Sequence, residues 1–253
     1  MPFNVQAEAI AFDLDDTICD YKGAKEAALT HVANTVSTQL RTRQGFLASY
    51  RIHEPRLFKT VLSRAISIEE YQTRRFQMPL ESNRLPASPE KIKELNSTYM
   101  RRCNEEIQLF PEVIVVLRGL RNFGVPLALI INGHSDGQRT KINALGLWRY
   151  FDSIIISSEV RAAKPDARIY QIAAEALNVE PRELLMVGDS LHDDYRGALH
   201  AGCQALLLNR EASESTAEII TDLKEIKNRL AMNQDIERSS DHSHTSGREK
   251  TLS

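Results

Sequence analysis

Short apolar runs punctuate this chain, and between most of them apolar positions recur every three or four residues. The runs at 9–12, 125–131, 154–156, 184–187 and 205–208 have the length of strands. Ahead of the second run, Val113, Val116, Leu117, Leu120 and Phe123 fall on one side of a helix, with Pro111 suited to its first turn and Gly124 to its exit. Other helical stretches end at Leu145-Gly146, Leu177-Asn178 and Ala201-Gly202, where Gly or Asn takes up the left-handed conformation that closes a helix. Strands that are apolar throughout need cover on both faces. Their alternation with helices therefore predicts an α/β fold, a parallel sheet flanked by helices.

Residues 21–108 break that rhythm. Strand-like runs give way to helix formers, as in AKEAALTHVANTVSTQL and EKIKELNSTYMRRC, and NRLPASPEK marks a loop between them. This predicts a helical domain inserted after the first strand, with residues 1–20 and 109–232 forming the core domain. From Arg41 to Arg102 there are thirteen Lys/Arg against six Asp/Glu. A positive cover would draw in an anionic substrate, although ordinary solvated helix faces account for the excess equally well. Residues 233–253 carry almost no apolar side chains and are expected to be a disordered tail. His242 and His244 within it read as solvated polymer rather than metal ligands.

Bulk properties narrow the function classes. A net charge of −2 argues against general nucleic-acid or membrane-surface binding, and no run approaches the ~18 apolar residues that span a bilayer. The start, MPFNVQAEAI, lacks the basic and apolar regions of a secretory signal. Cys19, Cys103 and Cys203 are odd in number and widely spaced, as free thiols in a reducing, cytoplasmic compartment would be. Cys19 lies near a cluster of aspartates, but no adjacent His would activate it as a nucleophile, so it reads as buried filler.

The polar residues that matter sit where the strands end, which is where open α/β sheets bind ligands. The first strand runs into Asp13-Leu14-Asp15-Asp16-Thr17, the second into Asn132-Gly133. Lys164-Pro165-Asp166 follows the third, and Gly188-Asp189-Ser190 with Asp193-Asp194 follows the fourth. Carboxylates crowded at the end of a buried strand repel one another and lose solvation. A divalent cation held by hard oxygen ligands, with water and a phosphate completing its shell, removes that conflict, and Mg²⁺ suits such a site.

These four motifs, in this order and each at a predicted strand end, resemble those of the haloacid dehalogenase (HAD) superfamily of phosphohydrolases, over roughly residues 10–210. The insert resembles the helical C1 cap of the subgroup that includes small-molecule phosphatases, nucleotidases and sugar phosphomutases. DYKGAKEAAL and INGHSDGQRTKINALGL are similar to the nucleotidase-like and acylneuraminate-phosphatase-like members. The resemblance implies a Rossmann-like sheet in which the first strand is central, between the second and fourth. It also implies that Asp13 is the nucleophile, forming an aspartyl-phosphate, and that Asp15 protonates the leaving alcohol and then activates water. Lys164 would screen the charge of nucleophile and phosphate. Asn132 and the Gly133 backbone would donate to phosphate oxygens. Mg²⁺ would be held by Asp13, the carbonyl of Asp15 and Asp189, with Asp194 as a nearby ligand or anchor. The expected reaction is hydrolysis of a small phosphomonoester, a nucleotide or sugar phosphate.

Asp15 separates this chain from the dehalogenase branch, which has no acid/base aspartate two places after its nucleophile. One residue departs from the family pattern. Ile131 stands where members usually carry Ser or Thr, whose hydroxyl grips the transferring phosphate. Asn132 or Ser135 is a candidate substitute donor. The departure keeps open a weakly active or non-catalytic phospholigand-binding protein, beside a phosphoryl mutase of the same fold. Around the site, Asp16 and Thr17 serve equally as turn residues or participants, while Asp166 is expected to cap the next helix. Glu159 is expected to hold Lys164 in place. His134 and His192 read as loop histidines, and Ser157 and Ser158 as strand-end polar residues.

Overall fold

A computed structural model describes residues 7–63 and 65–230; the expected tail, with His242 and His244, lies outside the described residues. The apolar runs form six strands: β1 (Ala9–Phe12), β2 (Leu127–Ile131), β3 (Ser153–Ile156), β4 (Leu184–Gly188), β5 (Gln204–Leu208) and β6 (Ile219–Ile220). They make one parallel sheet in the order β3-β2-β1-β4-β5-β6. Every residue of β1, β2 and β4 is buried, as a sheet covered on both faces requires. β1 pairs with β2 on one side and β4 on the other. The connections therefore run outward in opposite directions from the sheet's middle, and a crevice opens at the carboxyl ends of β1 and β4.

β2 begins two residues later than the apolar run suggests. The N–H of Val125 bonds back to Leu120 O at 3.2 Å, so Val125 belongs to the exit of the preceding helix, and Pro126 leads into the strand with its carbonyl accepting from Ile10 N–H at 3.0 Å. That helix ends at Asn122, leaving Phe123 outside it and exposed, and Pro111 sits in a turn two residues before its start. The expected left-handed exits occur at Gly124, Asn178, Gly146 and Gly202, all with positive φ.

The chain divides into two compact units. One carries the sheet. Small residues on one face of it (Ala9, Ala11, Ala128) leave room for Ile169, Tyr170 and Ala173 of the helix Ala167–Ala176. The other unit, Asp20–Gln108, holds four helices, α1 (Tyr21–Val36), α2 (Leu40–Leu62), α3 (Ile68–Ser82) and α4 (Pro89–Glu106). α1 packs on α4 and α2 on α3 around Phe46, Tyr50, Phe76, Leu80, Leu95 and Tyr99. Asp20, Ser67 and Ser88 each accept a backbone N–H at a helix start. No described helix is long and apolar enough to cross a membrane.

Candidate active site

Asp13 is the first residue past β1. Its N–H donates to Val187 O at 3.0 Å, so the β1–β4 ladder reaches the residue itself and sets where its carboxylate emerges. The chain then turns sharply: Asp16 takes φ +65°, and the N–H groups of Ile18 and Cys19 both return to Leu14 O. Thr17 ties this turn to the end of β4. Its hydroxyl accepts from the Asp189 N–H at 3.1 Å and reaches Asp189 Oδ1 at 3.4 Å. The turn is held from behind by Arg210, which donates to Thr17 O at 3.0 Å, pairs with Glu112 at 2.6 Å and stacks on Phe110.

Lys164 arrives on the loop after β3, in front of the helix Ala167–Ala176. Asn132 clamps that loop: the Lys164 N–H donates to Asn132 Oδ1 at 2.8 Å, and Asn132 Nδ2 donates to Lys164 O at 2.9 Å. Lys164 is 6% exposed, and its ammonium donates to Asp13 Oδ1 and to Asp194 Oδ1, both at 2.6 Å. Asp194 is 1% exposed, and its other oxygen accepts from the Ser190 N–H at 2.9 Å. It sits on a wide helical turn, Leu191–Arg196, where both Asp194 and Tyr195 bond back to Ser190 O. Gly188 permits this approach, because a Cβ there would lie 2.2 Å from Asp194 Oδ2.

The site holds more negative charge than one lysine neutralises. Asp13, Asp189 and Asp194 can each bring a carboxylate oxygen within 4.8 Å of the others. Burial raises the pKa of Asp13 to about 8, with Asp194 and Asp15 adding to the rise and Lys164 opposing it. Asp189 is solvent-exposed, and partial desolvation with the charges of Asp194 and Asp16 pushes it up to about 6. Burial pulls the Lys164 ammonium downward, but Asp13 and Asp194 outweigh it and hold it above the ordinary lysine value.

Asp13, Lys164, Asp189 and Asp194 thus lie together at the β1/β4 crevice, and the model of the haloacid dehalogenase-like hydrolases matches residues 7–202. The chain belongs to the haloacid dehalogenase-like hydrolase family. It is 30% identical over 212 residues to the pyrimidine 5'-nucleotidase YjjG of Escherichia coli, covering 82% of this chain and 90% of that one. It is 27% identical to the human N-acylneuraminate-9-phosphatase, covering 79% and 81%. A phosphoserine phosphatase of Thermus thermophilus is 37% identical over 137 residues, but the match spans only 54% of this chain and 55% of that protein. Among solved structures, YfnB from Bacillus subtilis, a HAD-hydrolase, has a TM-score of 0.72 at 22% identity, covering 88% of this chain and 98% of that one. It shares the fold.

In this HAD-like hydrolase Asp15 stands apart from the carboxylate cluster. Both its oxygens accept from Lys141 Nζ, at 2.6 and 2.5 Å. Lys141 lies on the helix Ser135–Ala144 and is 5% exposed. Sequence reasoning passed over it. The available signal was the pairing of Gln138 and Lys141, three apart and beside Ile142, which puts polar groups on a core-facing stripe.

Other expected roles are redistributed. Asn132 and Gly133, read as phosphate donors, are engaged within the protein: Asn132 clamps Lys164, and the Gly133 N–H donates to Ser157 Oγ at 2.9 Å. Ser157 and its neighbour Ser158, which accepts from Ser135 N–H at 2.9 Å, pin this loop rather than merely ending a strand. Glu159 does not hold Lys164. It takes a two-pronged pair from Arg139 at 2.7 and 2.9 Å and accepts the Ser135 hydroxyl, so the Ser135 hydroxyl is engaged by a carboxylate. Ile131 is buried at the end of β2. Asp166 caps the helix after Lys164, accepting from Arg168 N–H at 2.9 Å. His192 pairs with Asp193 at the surface, and burial pushes the Cys19 thiol up, as expected of filler.

Proposed function

We propose that this hydrolase is a Mg²⁺-dependent phosphatase that cleaves a small phosphomonoester, a nucleotide or sugar phosphate, through an aspartyl-phosphate on Asp13. The observation that carries the reading is the buried Asp13–Lys164–Asp194 array at the carboxyl ends of β1 and β4. The donor set fits a hard cation: three carboxylates can converge within 4.8 Å, beside one ammonium. Asp13 and Asp189 would hold it with the Asp15 carbonyl, and Asp194, whose two oxygens are already bonded, would orient Lys164. When bound, Mg²⁺ supplies neutralisation of charge on the phosphoryl oxygens.

Asp13 attacks phosphorus in line, forming the Asp13–phosphorus bond as the bond to the ester oxygen breaks. Asp15 gives its proton to the departing alkoxide, which leaves as the alcohol. It then takes a proton from the water that cleaves the acyl-phosphate, restoring Asp13 and releasing inorganic phosphate. Lys164 faces the charge of Asp13 throughout, in a site where positioning and electrostatics supply most of the catalysis.

The substrate class is supported by relatives, each matched over more than four fifths of its length, named as a nucleotidase, an acylneuraminate phosphatase and a glyceraldehyde 3-phosphate phosphatase. Three free, buried cysteines suit a cytoplasmic setting. The test is hydrolysis of p-nitrophenyl phosphate with Mg²⁺, followed by a panel of nucleoside monophosphates and sugar phosphates. Asp13→Asn is expected to lower turnover by at least about a thousandfold, and a chelator to abolish it reversibly. Wild-type protein that is inactive across metals and pH would instead favour a phospholigand-binding protein, the reading that Ile131 keeps alive.

A further inference from the structure

Resting on that reading, we infer that Lys141 is a positioning residue for the acid/base Asp15, so that the second half of the catalytic apparatus is built from the helix after β2. The backbone of Asp15 is already fixed. The turn is closed by the returns of Ile18 and Cys19 to Leu14 O and by Asp16 N–H to Cys19 O at 2.8 Å. On the carboxylate itself the turn places only a long contact, from the Cys19 thiol to Oδ1 at 3.9 Å, and Lys141 fixes its rotation by engaging both oxygens.

Lysine is a poor choice if the only task is to fill space. A nearly fully buried ammonium loses its hydration, and an apolar side chain of similar length would pack there at no such cost. The contact is also long in sequence, 126 residues apart, and depends on how the helix Ser135–Ala144 is seated. Its seating is specified independently. Gln138, one turn earlier on the same helix, donates to Asn132 O at 3.1 Å, and Asn132 clamps Lys164. The loop that positions Lys164 against Asp13 and the helix that positions Lys141 against Asp15 therefore share one anchor. Each of the two catalytic aspartates has its own buried lysine, and the two lysines are held in register through Asn132.

A general acid matters most when the leaving oxygen is a strong base, and hardly at all when the leaving group departs readily as an anion. The probes are phenyl phosphate and 2,4-dinitrophenyl phosphate, each with Mg²⁺, on the full chain. Lys141→Met is expected to lower kcat at least tenfold on phenyl phosphate and less than threefold on the dinitrophenyl ester, with KM within twofold on both. Lys141→Arg, which keeps a cation able to meet both oxygens, is expected to restore more than half of the lost phenyl phosphate turnover. In an Asp15→Asn background, Lys141→Met is expected to add less than twofold. Equal losses on both esters, no loss at all, or full additivity with Asp15→Asn would overturn the inference. If Lys141→Met does not fold, Lys141→Gln carries the test with the same leaving-group split expected, and an equal loss on both esters, or no loss, overturns the inference in the same way. Asp15→Asn alone separates the levels. If it shows no leaving-group dependence, the acid/base role assigned to Asp15 fails and takes this inference with it. If it shows that dependence and Lys141→Met does not, only the inference fails.

Discussion

Ile131 ends β2 with its side chain buried, immediately before the Asn132 that clamps the Lys164 loop. The family's usual hydroxyl is missing there, and neither proposed substitute is idle: Asn132 is bonded to the Lys164 backbone and Ser135 to Glu159. Ile131→Thr is therefore expected to raise kcat by about tenfold, the worth of one hydrogen bond of ~1–1.5 kcal/mol made in the transition state. It should also lower thermal stability, because a hydroxyl replaces a buried ethyl group. Steady-state kinetics beside a thermal melt would show both; unchanged turnover would mean that the phosphate is gripped elsewhere. Individual residues were unevenly legible. Asp13, Asp189 and Asp194 announced themselves because carboxylates crowded beside buried strands are costly and need a reason. Lys141 did not, since a lysine on a helix is ordinary until its face is known. The same limit explains Glu159: proximity in sequence to Lys164 suggested a partner, but the turn after β3 delivers it to Arg139.

At the scale of elements, the ends of β4 and of the helix after Lys164 make opposite demands on substitution. Gly188 closes β4 at a point where an added Cβ would meet the Asp194 side chain at 2.2–2.6 Å. Asp194 is short, buried and bonded at both oxygens, so it cannot yield without releasing Lys164. Gly188→Ala is expected to cost about 1–3 kcal/mol of stability and to lower turnover at least tenfold. Retained turnover in a folded protein would show that Asp194 is dispensable. Asp166→Ala is the contrasting case. It removes a cap from the helix Ala167–Ala176, with an expected cost of ~1 kcal/mol in chemical denaturation, while kcat stays within twofold. The strands were readable because uninterrupted apolar runs of three to five residues between helical stretches have few other uses. β6, with two residues, is too short to leave a pattern, and the start of β2 was misplaced because Val125 is apolar whether it closes a helix or opens a strand.

For the molecule as a whole, strand order came from the family resemblance and not from periodicity, which is silent on which strands are neighbours. That order concentrates the unneutralised charge within one of the two compact units, while the helical unit Asp20–Gln108 keeps its own aromatic core. Heating should therefore respond to metal and pH in one unit only. Asp189 has its pKa raised in the fold to about 6, above its ordinary 3.8. A carboxyl so raised favours folding fully below its unfolded value, and that contribution is lost as pH rises through about 6. Asp13, raised to about 8, extends the loss toward alkaline pH. The metal-free protein is thus expected to lose stability in the sheet-bearing unit between about pH 4 and 8. Magnesium binds the carboxylate forms, so its stabilisation should run the other way, small at pH 5 and large at pH 8. At Mg²⁺ about 100-fold above its Kd, linkage supplies ~2.7 kcal/mol, or roughly 5–10 °C in Tm for a unit of this size. Calorimetry with chelator or Mg²⁺ at pH 5 and pH 8 would read this directly. Only the transition of the sheet-bearing unit should move, and Asp189→Asn should remove most of the shift. A shift of equal size at both pH values, or one that survives Asp189→Asn, would mean that magnesium is held somewhere other than the Asp13–Asp189 crevice.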